Sequence, residues 1–234
     1  MRTTKQQTKS RISDAQGVEE IGGNGSLKHV VIAAPRIRTA SFQIVGTSPY
    51  VQHAFGGKAQ EQMRSRQMEG QVRGRKKHGP KDFAAAYEDA KHVSDEGWYG
   101  IPAASIRNAL ISACRLAGYP MTRAKLSLFV VADGYDSKSM DPLIKIESGA
   151  EPERFEATVR LADGTPDIHV RPLWRTWWAK VVLRYDEDQF SIEDVANLLC
   201  RAGIQVGIGE GRNDSKKSNG MGWGCFEAKD WEEA

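Results

Sequence analysis

The chain has 234 residues and a net charge of +3, so as a whole it is not a polycation. Hydrophobic residues make up 40% of it, below the usual share for a globular domain, which leaves room for long polar loops beside a core. The three cysteines are widely spaced and form no CxxC pair, which argues against a disulfide framework and a zinc site. The longest apolar run, 126–132, is too short to span a bilayer, and the N-terminus has no apolar secretory signal. We therefore expect a cytoplasmic protein with no cofactor, no metal and no membrane partner.

Residues 1–25 are polar and rich in glycine and show no apolar period. They predict a disordered tail ahead of a single domain over 26–234. The first strands are predicted at 27–34 and 38–45. In the second of these, Ala40, Phe42 and Ile44 alternate with Ser41 and Gln43, which is typical of a strand with one buried face.

A long insertion follows at about 56–98, and its first part carries concentrated positive charge. Between Lys58 and Lys81 the sequence has eight lysines and arginines against two glutamates. Such a block is typical of a surface that binds phosphate, although a solvated loop gives the same pattern. The candidate nucleic-acid-binding residues of this basic block are Arg64, Arg66, Arg73, Arg75, Lys76 and Lys77.

A helix is predicted after Pro102, because apolar residues recur at positions 106, 110 and 114. Proline suits the first turn of a helix since it has no amide proton to leave unpaired. Ser105 is expected to cap the amides that follow. Free amides and the positive end of the helix dipole favour phosphate at this point, and Arg107 would reinforce them. An ordinary capped helix is the alternative interpretation.

The second half of the chain predicts a strand at 126–131, a long insertion over 132–175 and a strand at 177–185. The insertion contains a hairpin signal at Asp163-Gly164. A helix is predicted at 192–201, with a capping box of Ser191 and Asp194 at its start and Gly203 at its end. Strands are predicted at 204–208 and 223–228, on either side of a glycine-rich loop.

In chain order the regular elements are strand, helix, strand, strand, helix, strand. This order predicts an α+β protein with a ferredoxin-like (RRM-like) β-α-β-β-α-β core and long insertions at about 56–98 and 132–175. In such a core two helices cover one face of an antiparallel sheet. The other face is left for the insertions or for a ligand, and single-stranded RNA commonly lies on sheets of this kind.

Three tryptophans cluster at the start of the strand predicted at 177–185. Trp174, Trp177 and Trp178 could stack on bases or pack in the core. Because side chains alternate along a strand, core packing is favoured for two of the three.

The loop near the C-terminus is the most informative segment, since six glycines fall within the 18 residues 207–224. Glycine lets the backbone approach a ligand closely and adopt positive φ. The free amides of such a loop can surround a phosphate. A flexible hairpin linker is the alternative, and the spacing fits neither a Walker loop nor a dinucleotide fingerprint. The candidate binding residues are Gly207, Gly209, Gly211, Arg212, Lys216, Lys217, Gly220, Gly222 and Gly224.

Three segments together resemble the RAMP superfamily of CRISPR proteins. The glycine loop is similar to that family's C-terminal signature. The segment 99–110 is similar to the IPGSSLRGALR motif at the start of helix one in the backbone subunits of CRISPR effector complexes. Gly56-Gly57 is similar to the glycine pair ahead of that family's first insertion. The three matches occur in the family's order and cover roughly a sixth of the chain.

The resemblance implies a non-catalytic, guide-RNA-binding subunit of a cytoplasmic antiviral-defence ribonucleoprotein. It implies a homo-oligomer along the RNA, with other effector subunits and a target strand as further partners. The insertion at 132–175 would be the thumb, which projects between bases in such complexes. The segment 58–97 would be the web or finger.

One departure from the family concerns catalysis. Members that cut target RNA carry an aspartate close behind the glycine pair, whereas the first aspartate here is Asp82, so we expect no cleavage. One rival hypothesis is a guide-processing endoribonuclease that uses His53 as general acid and base. Another is a solitary, possibly phage-borne, protein that binds single strands or inhibits the CRISPR complex as a mimic. The sequence leaves open whether the nucleic acid is RNA or DNA.

Overall fold

The computed structural model describes residues 32–54, 61, 63–65, 67–68, 82–160, 166–215 and 220–233. The chain divides into two compact units, 1–35 and 36–234. Of the first unit, residues 32–35 are described; they are exposed and have no regular structure. The predicted tail at 1–25 and most of the basic block lie outside the described residues.

The second unit is a mixed α+β protein with antiparallel sheets. Its strands are β1 (Ile37–Gly46), β2 (Tyr50–Val51), β3 (Gly100–Pro102), β4 (Leu128–Val131), β5 (Gly134–Tyr135), β6 (Pro142–Lys145), β7 (Glu153–Arg160), β8 (Pro166–Trp174), β9 (Trp178–Asp186) and β10 (Phe226–Glu233). Its helices are α1 (Phe83–Asp89), α2 (Ala103–Cys114), α3 (Met121–Ser127) and α4 (Ile192–Arg201). In the described part of the chain, no helix has the length and apolarity needed to cross a membrane.

The largest sheet has four strands in the order β10-β1-β9-β4. The predicted alternation in β1 is confirmed, because Phe42 and Ile44 are buried while their neighbours are partly exposed. Strand β9 buries Val181 and Leu183 on the same face. These side chains form one core with the apolar faces of α2 and α4, to which Leu110 and other fully buried residues belong. Each such side chain contributes roughly 1.5–3 kcal/mol of burial free energy.

Two smaller sheets have the strand orders β2-β8-β7 and β3-β6-β5. The hairpin predicted within 132–175 is confirmed, since β7 and β8 pair antiparallel along their length. Strand β2 follows β1 closely and pairs with β8, so that Tyr50 lies opposite Trp174. The insertion therefore folds back onto the end of β1, and this pairing assembles part of the site described below.

Helix α4 begins as predicted and ends differently. The capping box is formed, with the Asp194 amide 3.1 Å from Ser191 Oγ and the Ser191 amide 3.0 Å from Asp194 Oδ2. Gly203 does not end the helix, and the strand predicted at 204–208 is wrong. The chain continues through a π-helical turn, Ala202–Val206, and ends at Gly207, whose φ is 73°. Gly203 lies inside that turn because a Cβ there would meet the Phe226 carbonyl oxygen at 2.0 Å.

Helix α2 starts directly after Pro102, and no side chain caps its first amides. The prediction that Ser105 caps this helix is therefore wrong. A capping residue must have extended backbone angles, whereas Ser105 already lies within the first helical turn. The helix ends at Cys114, four residues before Gly118.

Candidate nucleic-acid interface

A cleft of about 1310 Å³ opens between α2, the glycine loop and the ends of β2 and β8. Its α2 wall is polar, because Ser105, Asn108 and Ser112 all line it. Residues three and four positions apart share one side of a helix, so these three side chains form a continuous row of hydrogen-bonding groups. The rest of the lining includes His53, His92, His169, Trp223 and Thr158.

The glycine loop, 207–224, forms the opposite wall. All six of its glycines have positive φ, between 64° at Gly220 and 77° at Gly211. An L side chain rarely adopts this left-handed backbone, so glycine is the residue that keeps the loop in this shape.

The six glycines divide into two groups by what surrounds them. A Cβ at Gly224 would lie 1.8 Å from the Ile208 carbonyl oxygen, and one at Gly209 would lie 2.5 Å from that of Val51. Gly207 and Gly211 are similarly close to Trp223. These four are required by packing within the fold.

Gly220 and Gly222 form the second group. The nearest described atoms to a Cβ there belong to Asn213 and lie 3.7 and 4.0 Å away. The backbone at these two positions is therefore open to close approach by a ligand. The amides of Gly207 and Gly224 are not available in the same way, because they donate to the carbonyls of Ala202 and Pro49.

At one end of the cleft, the buried guanidinium of Arg171 joins β8 to the glycine loop. Its Nε donates to Glu210 Oε2 at 2.6 Å. Its Nη2 lies 3.2 Å from His53 Nε2 and 3.0 Å from His169 Nδ1. Because a guanidinium donates only, both of these ring nitrogens must be acceptors and therefore unprotonated.

His53 is held on both sides of its ring. Besides the contact with Arg171, its Nδ1 lies 3.4 Å from Glu210 Oε2. Burial, and next the positive charge of Arg171, lower the pKa of His53, and the opposing effect of Glu210 does not compensate. In this arrangement His53 is neutral and both nitrogens have protein partners, so it has no free nitrogen for proton transfer to a ligand.

A second histidine on the cleft, His92, is arranged differently. Its Nδ1 lies 2.9 Å from Oδ2 of the buried Asp136. Burial acts to raise the pKa of Asp136, but hydrogen bonds from the amides of Lys138 and Ser139, and from His92, outweigh it and lower that pKa. The carboxylate therefore holds the His92 ring by Nδ1. Nε2 has no partner among the residues that the structure describes, which leaves it for a ligand.

The structure brings together only part of the predicted set of binding residues. Ser105, Arg212 and most of the glycines line the cleft, and Arg212 Nη1 donates to the Gly209 carbonyl at 3.1 Å. Arg107 does not line it, because its Nε donates to the Leu128 carbonyl at 2.9 Å and Nη2 donates to that of Lys125. Arg64 is exposed and lies 3.5 Å from Glu61. Outside the described residues lie Arg66, Arg73, Arg75, Lys76, Lys77, Lys216 and Lys217.

Sequence reasoning missed His92 and Asp136, which are 44 positions apart and share no motif. It also missed Asn108 and Ser112, although their helical spacing from Ser105 was visible in the sequence. Over the described ranges, no group of three His, Cys, Asp or Glu side chains could hold a metal ion. No protein-family model and no curated protein matches this sequence.

Proposed function

We propose that this chain binds a single strand of nucleic acid, foremost guide RNA, in the cleft between α2 and the glycine loop. The observation that carries the proposal is the size and lining of this cleft. Its volume, about 1310 Å³, exceeds the roughly 300–1,000 Å³ typical of small-molecule pockets. A row of polar helix side chains faces an open glycine backbone across it, which suits a polymer of sugars and phosphates.

The order of elements supports a ferredoxin-like core as the fold proposal. The strand order β10-β1-β9-β4, with α2 between β1 and β4 and α4 between β9 and β10, is the order of that fold. The pairings β1–β9, β1–β10 and β4–β9 are all antiparallel, as it requires. Together with the RAMP resemblance, this supports a repeating, non-catalytic subunit of a cytoplasmic CRISPR-like ribonucleoprotein, with partner subunits along the RNA.

Within the cleft, different groups would meet different parts of the strand. Arg212 and the open backbone at Gly220 and Gly222 would meet phosphates. Ser105, Asn108 and Ser112 would accept and donate hydrogen bonds to sugars and base edges. The basic block would add long-range attraction, so affinity should fall as salt concentration rises.

A charge reversal within the cleft tests the proposal. Asn108 is exposed on the α2 wall, so Asn108→Glu should fold and place a negative charge against the phosphates. Fluorescence anisotropy with a labelled oligouridylate should show affinity at least about tenfold weaker, which corresponds to ~1.4 kcal/mol. Thr122→Glu is the matched control, because Thr122 is exposed on α3 and does not line the cleft. Equal affinity for the two variants would show that the strand does not occupy this cleft.

The His92–Asp136 pair favours a second candidate, the endoribonuclease. His92 Nε2 would accept the proton of a 2′-hydroxyl as that oxygen attacks the adjacent phosphorus, while the 5′-oxygen leaves and takes a proton from water. Cleavage of labelled RNA in EDTA, lost in His92→Ala and absent with DNA, would establish this activity. Intact RNA after long incubation would leave the non-catalytic proposal standing.

A further inference from the structure

The four-stranded sheet has a second face, opposite the helices, which we call the open sheet face. Because side chains alternate along a strand, the buried residues of β9 and β4 face the helices, and Phe129, Val131, Trp178, Lys180 and Arg184 face the other way. Phe129 is 41% exposed and Trp178 is 37% exposed. Large aromatic side chains are rarely left this accessible without a use.

Strand register places cations between and beside these aromatic rings. Phe129 lies opposite Arg184 across β4 and β9. Lys180 lies opposite Gln43 of β1, which in turn lies opposite Lys229 of β10. Trp178 and Arg184 are six positions apart on one strand, or roughly 20 Å. The open sheet face therefore carries an aromatic ring near each end and cations along its length.

The three cations, Lys180, Arg184 and Lys229, form no ion pair with any residue in the described ranges. Among described side chains on this face, the acids are Glu227, on the outer strand β10, and Asp186, whose Oδ1 accepts the Asp188 amide at 3.0 Å. Unpaired cations beside exposed aromatic rings are complementary to a polyanion with stacking bases. A second copy of the chain bound face to face would bring like charges together, which opposes that occupant.

We infer that the open sheet face is a second binding surface for single-stranded nucleic acid, with bases stacked on Phe129 and Trp178 and phosphates held by Lys180, Arg184 and Lys229. The ligand class is that of the proposed function, and the surface is separate from the cleft. Arg107 contributes at the edge, since its guanidinium carbon lies 5.8 Å from the centre of the Phe129 ring. There its charge favours the stacked ring and the strand together.

Aromatic truncation tests the stacking. The probe is a fluorescein-labelled oligouridylate of about 16 nucleotides, with oligodeoxythymidylate of equal length beside it. Trp178→Ala and Phe129→Ala should each weaken binding about 5- to 150-fold, whereas Trp178→Phe should stay close to the parent protein. Tyr135→Ala is the matched control, because Tyr135 is an exposed aromatic residue on β5, outside the four-stranded sheet. Lys180→Ala with Arg184→Ala should lower the log–log salt slope by about 0.7 per lost phosphate contact.

The outcomes separate this inference from the cleft. Weak binding by the sheet variants with normal binding by Asn108→Glu supports the open sheet face and contradicts the cleft. The reverse result overturns the inference and leaves the cleft. Normal binding by the lysine–arginine variant, which replaces exposed side chains and should fold, also overturns it. A changed oligomeric state of the free sheet variants with unchanged affinity would show that this face joins copies of the chain, and would overturn the inference.

Discussion

The guanidinium of Arg171 lies against the ring of His53, with Nη2 3.2 Å from Nε2, although the two residues are 118 positions apart in the chain. The same guanidinium pairs with Glu210 of the glycine loop at 2.6 Å. One side chain of the 132–175 insertion therefore connects the end of the first strands to the C-terminal loop. The insertion, β2 and the loop should move and unfold together.

The state of His53 predicts a pH dependence of stability. Its pKa is lowered in the folded protein, first by burial and then by Arg171, with smaller effects from His169 and His92. The unfolded chain therefore binds a proton more readily, and folding loses stability as pH falls below the ordinary histidine pKa of about 6.5. The melting temperature should fall between about pH 7.5 and about pH 5.5, and less so in His53→Asn. An identical fall in that variant would assign the effect to other groups.

The Arg171–Glu210 pair predicts strong coupling between two single substitutions. Arg171→Met leaves the Glu210 carboxylate without its partner, which should cost about 2–3 kcal/mol of the free energy of unfolding, since Glu210 is partly exposed and a fully buried pair costs more. Adding Glu210→Gln should recover part of this loss. Urea unfolding of the parent, both single variants and the double variant measures the coupling. Additive losses would contradict the pairing.

The two groups of glycines predict opposite results for one substitution. Gly224→Ala places a Cβ 1.8 Å from the Ile208 carbonyl oxygen and should prevent normal folding. Gly222→Ala meets open space, so the cost is the left-handed backbone alone, about 1–2 kcal/mol. Circular dichroism with thermal melting distinguishes the two. A folded Gly224→Ala protein with unchanged stability would contradict the loop geometry.

The proposed role as a repeating subunit predicts assembly on RNA. Sizing chromatography with light scattering should show complexes whose protein number rises with the length of the single strand. The matched control is a strand too short for two protomers, which should carry one. A single protomer on long RNA would contradict a repeating subunit while leaving single-strand binding intact.

Local signals in the sequence were sufficient for several elements. Alternation predicted β1, and the capping box of Ser191 and Asp194 predicted the start of α4, because both depend on residues within a few positions of each other. The hairpin of β7 and β8 was predicted for the same reason. Of the three clustered tryptophans, Trp174 and Trp177 are buried and Trp178 is exposed, as alternation favours.

Features that depend on distant residues were not predictable in this way. Gly203 looked like a helix stop, but its neighbour Phe226 lies 23 positions further along the chain. The contacts of His92 with Asp136, and of Arg107 with the Leu128 carbonyl, depend on how the strands pair. Such pairings add up over the whole fold and leave no spacing in the sequence.

The π-helical turn at Ala202–Val206 sets the direction of everything that follows it. A π turn holds one residue more than an α turn, and each residue turns a helix by about 100°. Removing a single residue from this turn would restore regular α geometry and rotate the start of the glycine loop by about that angle. Both groups of glycines and strand β10 would then leave the helix in a different direction. The aim of the loop across the cleft thus depends on a one-residue surplus, far more than on the length of the loop.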